Sequence, residues 1–161
     1  MRSIKHLISI AAIAAFAVVF VNAQISEKPK KAEFDAELAK KLGADKYGMK
    51  SYVLAILKTG PKDAEIIGKE RDEMFKGHMA NMSKLAGEGK LAVAGPFGKN
   101  DIQFRGLFIL NVTTVEEAKK LTDTDPVVKA GMMIVEFVPW YGSAALMQTS
   151  ENHRKIAELN L

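Results

Sequence analysis

An α+β domain of the ferredoxin-like type is what the sequence predicts, on three observations. Four short segments rich in β-branched and aromatic residues stand between turn residues, the composition of strands. Two stretches between them, Ala64–Ala86 and the run after Thr114, place apolar residues at helical spacing. The resulting order, strand–helix–strand–strand–helix–strand, is the split βαβ arrangement, with one four-stranded antiparallel sheet and both helices on one face.

The elements follow in order. Residues 1–23 read as an export signal: Arg2 and Lys5, an apolar run from Leu7 to Val21, then Val-Asn-Ala, with cleavage after Ala23. The run is short for a membrane-spanning helix, which needs about 20 residues, so an uncleaved anchor is the lesser alternative to a cleaved signal. The expectation is an exported protein, periplasmic or secreted, with no membrane attachment after cleavage. The chain has no cysteine, which excludes a lipid-modified cysteine, disulfides and thiolate metal sites. The mature chain would have 161 − 23 = 138 residues, enough for one domain. Without Arg2 and Lys5 it carries 21 basic and 19 acidic side chains, a balance that does not suggest nucleic-acid binding.

Residues 24–50 form a charged leader, in which Phe34, Leu38 and Leu42 predict a short helix ending at Gly43. The domain proper spans 51–142. Ser51–Lys58 is its first strand, closed by a Thr-Gly-Pro-Lys-Asp turn. In Ala64–Ala86 the stripe Ile67, Arg71, Met74, His78, Asn81 and Leu85 predicts a packed helix, ended by Gly87 and Gly89. "KLAVAGPF" is the second strand and Phe104–Val112 the third. Thr114 and Glu117 make a capping box for the next helix. Asp125, Pro126 and Gly131 supply cap, first position and end of a further helical turn. "MMIVEFVPW" is the fourth strand, whose alternation groups Glu136 with Met132, Ile134 and Val138. A C-terminal extension, 143–161, carries a short helix capped by Ser150, with Ile156 and Leu159 on one side. A sheet with helices on one face leaves the other to be covered, and a second copy of the chain is the simplest cover.

His78 is the residue with most chemical promise. On a stripe facing the sheet, a histidine is either buried and satisfied by a backbone carbonyl or is a general acid–base. Gly77 beside it weakens the helix, as expected where something approaches closely. Asp125 before a proline is ordinary helix capping, which leaves its second oxygen free for another donor. Asp123 is a weaker substitute. Gly95, Pro96 and Phe97 are candidate pocket-wall residues, with Phe97 and Trp140 as apolar cover; the competing reading is turn geometry and subunit packing. After signal removal only His78 and His153 remain among the histidines, without metal-ligand spacing, so no metal or cofactor is expected.

The stretches "GHMANMSKLAGEGKLAVAGPF", "GLFILNVTTVEEAKKLTDTDPVVKAG" and "VEFVPWYG" resemble, in order and spacing, the YCII-related domains of the dimeric α+β-barrel group. The resemblance covers about Ser51 to Gly142; the signal, leader and "PWYGSAAL" extension look like an exported sub-branch. It implies a homodimer joined through the open sheet faces into a dimeric α+β barrel. It also implies an active site pairing His78 with Asp125. Many members carry arginine or proline just before the histidine, where this chain has Lys76-Gly77. Lys76 would meet an anionic substrate without arginine's planar fork.

A His–Asp pair with no cysteine and no hydrolase-type serine elbow points to proton transfer, of isomerase or lyase type. By analogy the unidentified ligand is a small cyclic or lactone-like compound. The alternative is a non-catalytic dimeric small-molecule-binding or assembly module, in which the same pair only holds two helices together.

Overall fold

The computed structural model describes residues 33–158. The expected signal, the leader up to residue 32 and Leu159 lie outside them. Ten elements follow one another: α1 (Ala36–Leu42), β1 (Met49–Thr59), α2 (Gly68–Gly87), β2 (Leu91–Pro96), β3 (Phe104–Leu110), α3 (Val115–Thr122), α4 (Pro126–Lys129), β4 (Met133–Ser143), a 3-10 helix (Ala144–Gln148) and α5 (Thr149–Ile156). The strands form one antiparallel sheet in the order β2-β3-β1-β4, the ferredoxin-like arrangement expected. No helix among the described residues is long and apolar enough to cross a membrane.

Strand alternation divides the side chains of the central strand. Val53, Ala55 and Leu57 of β1, with Phe108 and Leu110 of β3, face the helices and form the main core with Leu85, Ala118, Val127, Met132 and Met133. Tyr52 and Ile109 face the other way and pack with Ala92, Leu54 and Leu107 against Leu146 and Met147 of the 3-10 helix. The C-terminal extension thus covers part of the second sheet face. Ile134, Val138 and Trp140 on β4 remain exposed there.

Several local expectations are corrected by backbone detail. The long helix starts at Gly68, not Ala64, and Ile67 is exposed. Arg71 explains the difference: its guanidinium donates to the carbonyls of Asp63 at 2.8 Å and Ile66 at 3.2 Å, fixing that segment as turns. Met132 belongs to the main core, whereas Glu136 is exposed and bridges to Lys58 at 3.4 Å. Ser150 is not a cap; α5 continues directly from the 3-10 helix, so no separate cap is formed there. The capping box is altered too. Thr114 Oγ1 accepts from Glu117 N at 3.2 Å, but the Glu117 carboxylate takes the N–H of Thr113 at 3.3 Å.

The short helix of the leader ends as predicted, with Gly43 left-handed (φ 70°). Lys50 Nζ donates to Leu42 O at 3.3 Å, tying the helix end to β1, and burial lowers the pKa of that amine. Asp45 organises the next turn by accepting from the N–H groups of Tyr47 and Met49 and from the Tyr141 hydroxyl. The Tyr141 bond, then Met49 N–H, hold the Asp45 carboxyl below its ordinary 3.8. The same bond holds the Tyr141 phenol above its ordinary 10.0. A depressed carboxyl contributes stability above 3.8 and loses it as pH falls; a raised phenol contributes below 10.0 and loses it as pH rises. Tyr141→Phe is therefore expected to lower stability throughout the neutral range. In urea unfolding, its difference from the parent should narrow below pH 3.8 and above pH 10.0.

Candidate active site

Helix α2 carries His78 over the sheet. Its ring lies nearly parallel to that of Phe108 on β3, with centroids 5.9 Å apart and planes at 19°, and edge-on to Phe75 at 6.1 Å. Its Nδ1 is 2.7 Å from Asp125 Oδ2. The His78 side chain is 12% exposed and that of Asp125 is 0% exposed.

Asp125 is held from both sides. Its Oδ1 accepts from Val127 N at 3.1 Å, the cap of α4, which leaves Oδ2 for the imidazole. Its own N–H donates to Thr122 O at 3.0 Å, and its carbonyl accepts from Lys129 N at 2.9 Å. One helical turn beyond His78, Thr124 Oγ1 donates to Leu121 O at 2.6 Å and stands 2.9 Å from the Asn81 side-chain amide, a second contact between α2 and this turn. Asn81 Nδ2 is buried without a partner.

Close approach of α4 to α2 depends on Gly77. A Cβ there would stand 2.7 Å from Pro126 Cγ, in a ring that has little freedom to move. Glycine at this position thus brings the α4 cap within hydrogen-bonding reach of the next residue, His78.

A carboxylate only accepts, so the bond fixes the proton of neutral His78 on Nδ1 and leaves the Nε2 lone pair free. Nε2 has no hydrogen bond within the described residues and is not among the buried unpartnered atoms, so it is open to solvent. His78 lies in the wall of a cavity of about 580 Å³, a volume suited to a small molecule. Phe75, Met79 and Met82 of α2 share that wall. Gly95, Pro96 and Phe97 also line it, together with Arg105, Gly106 and Phe108 of β3.

Two expected binding residues lie elsewhere. Lys76 is exposed on α2 and absent from the cavity wall. Trp140 pairs with Tyr52 across β4 and β1, and so lies on the far sheet face, its ring over Gly142. Asp123 turns outward to Lys119 at 2.6 Å. His153 lies in a different groove, with Arg154, between α2, β2 and α5. Arg105 lines the cavity although no local pattern in the sequence marks it. Among the described residues no three histidine, aspartate or glutamate side chains gather as a metal site.

Gly77→Ala tests the close approach. Alanine suits a helix interior better than glycine by about 0.5–1 kcal/mol, whereas overpacking costs about 1–3 kcal/mol. Overpacking should win, and thermal unfolding should show a net loss near 1 kcal/mol. Gly87→Ala, where a Cβ meets nothing within 4 Å, should instead leave stability unchanged or raised.

The sequence model of the YCII-related domain matches residues 52–141, just over half of the 161. No curated protein matches the chain. Among solved structures, it is similar to 5-chloro-2-hydroxyhydroquinone dehydrochlorinase from Burkholderia phenoliruptrix AC1100, in complex with 2,5-dihydroxybenzoquinone. That similarity has a TM-score of 0.40 and 21% identity, over 56% of this chain and 93% of that one. On the domain match, which runs from β1 into β4 and includes both His78 and Asp125, the chain belongs to the YCII-related domain family.

Proposed function

We propose that the protein is a small-molecule enzyme that moves a proton on carbon, with His78 as general base and Asp125 as its positioning partner. The observation that carries this reading is the 2.7 Å contact at Nδ1, combined with an unpartnered Nε2 on a cavity wall. A histidine serving only to join two helices needs no cavity beside its free nitrogen.

In the proposed step, Nε2 takes a proton from a carbon next to a carbonyl, and the C–H electron pair moves onto the carbonyl oxygen as an enolate. The imidazolium so formed is stabilised by the Asp125 carboxylate, which keeps its negative charge. Return of the proton to a different carbon gives isomerisation; departure of a leaving group from the adjacent carbon, with its bonding pair, gives elimination. A positioned base of this kind contributes about 10²–10⁴-fold.

The proposal also takes the protein to be exported, on the N-terminal sequence, and homodimeric. Support for pairing comes from the sheet face that the 3-10 helix leaves open, where Ile134, Val138 and Trp140 are exposed.

The test is hydrogen exchange in D2O, followed by proton NMR on a panel of small cyclic ketones and lactones. The protein should accelerate exchange at the carbon beside the carbonyl for at least one compound, and His78→Gln should remove about 10²–10⁴-fold of that acceleration. Asp125→Asn should lower it while leaving the compound bound. Compounds that bind without any exchange would replace this reading with the non-catalytic binding module.

A further inference from the structure

We propose that Arg105 selects the substrate: it binds the carboxylate of a small, otherwise apolar acid and so presents the carbon skeleton to His78. The inference rests on the proton-transfer reading for what happens next, but not for the binding itself.

The first observation is a break in strand alternation. Leu57 pairs with Gly106, but Lys58 pairs with Phe104, so Arg105 is an extra residue in β3. A bulge of this kind turns a side chain out of its regular face, and bulges recur beside active sites. Here the bulged residue lines the His78 cavity.

The second is the charge around it. Asp63 receives two guanidinium groups: Arg71 on Oδ1 at 2.8 Å and Arg105 on Oδ2 at 3.3 Å. Two cations against one carboxylate leave one positive charge. Arg71 is committed, because it also holds the carbonyls of Asp63 and Ile66. Arg105 makes only the long Asp63 bond among the described residues, and its side chain is 34% exposed. Most of its five N–H groups are therefore free for a ligand.

The third is composition. Among the described residues of the cavity wall, Arg105 and His78 are the only titratable side chains, and no carboxylate is present. A planar guanidinium accepts a carboxylate through two parallel bonds, and apolar surroundings strengthen them. An apolar cavity with one cation and one base fits an apolar acid better than a neutral or cationic compound. Lys76, exposed and outside the wall, does not supply that cation.

The probes are sodium benzoate and benzamide, a neutral compound of nearly the same shape, titrated into the protein and followed by heteronuclear NMR. Benzoate should shift the His78 and Phe108 signals and bind about tenfold more tightly than benzamide. Arg105→Gln should reduce the preference to within about twofold, and Arg105→Lys should keep part of it, because the charge remains without the fork. Lys76→Gln should not change it. If Arg105→Gln does not fold, Arg105→Lys decides: an undiminished preference there overturns the inference. Equal binding of the two probes, no benzoate binding, or a preference that survives Arg105→Gln overturns it as well. His78→Gln separates the two proposals. A preference lost there alone means that the anion sits on the imidazole, which overturns Arg105 and leaves the base standing. A preference that persists in His78→Gln while exchange is lost supports both proposals, whereas a preference in a parent protein that accelerates no exchange retires proton transfer and keeps Arg105.

Discussion

A carboxylate with no exposure to water is the constraint on which the rest of the site depends. Removing an ion from water costs several kcal/mol even after relaxation, unless bonds inside the protein replace those to water. Asp125 obtains them from the Val127 N–H and from His78 Nδ1, and neither alone would satisfy both oxygens. The α4 cap must therefore sit against α2, and α2 must present an imidazole at that level. Gly77 is what permits the approach, since any side chain there meets the Pro126 ring. Turn, glycine and histidine form one unit, in which capping and orientation of the imidazole are served by the two oxygens of one side chain.

The consequence for chemistry is directional. With Nδ1 bound behind the cavity wall, the other ring nitrogen is the one that remains accessible. Stacking on Phe108 and edge contact with Phe75 restrain the ring plane, so the free lone pair is pre-oriented. β3 also lines the cavity, and there the regular pleat gives way: Arg105, displaced by one residue from its alternating position, joins the cavity instead of the far face. Local irregularity in one strand and close packing of two helices thus supply the two polar groups of an otherwise apolar chamber.

How much of this could be read from the sequence depends on how local each signal is. The helix cap at Asp125 and the helix end at Gly43 are written in neighbouring residues, and both appear where expected. Side-chain alternation in a regular strand is local too: Phe108 and Leu110 join the main core while Leu107 and Ile109 pack on the other face. Gly77 signalled close approach because glycine inside a helix is otherwise unfavourable, though its partner, Pro126, could not be named from spacing. The place of Arg105 is not legible locally because a bulge is a property of pairing: nothing in "FRGLFIL" says that Lys58 will skip a residue. An arginine beside glycine within an apolar strand was the signal available. The face of Trp140 is likewise decided by pairing, through its register with Tyr52. The helical spacing of Ile67 misleads for the same kind of reason: the helix start is decided by Arg71 reaching back to the preceding turn.

Proton placement on His78 is the central claim in its most measurable form. Nitrogen-15 NMR of the imidazole, in the parent protein and in Asp125→Ala, distinguishes a protonated from an unprotonated ring nitrogen directly. The account predicts that neutral His78 carries its proton on Nδ1 and an unprotonated, ligand-accessible Nε2 in the parent. In Asp125→Ala the proton should shift toward Nε2. A neutral ring protonated on Nε2 in the parent, or the same proton distribution in both proteins, would contradict it.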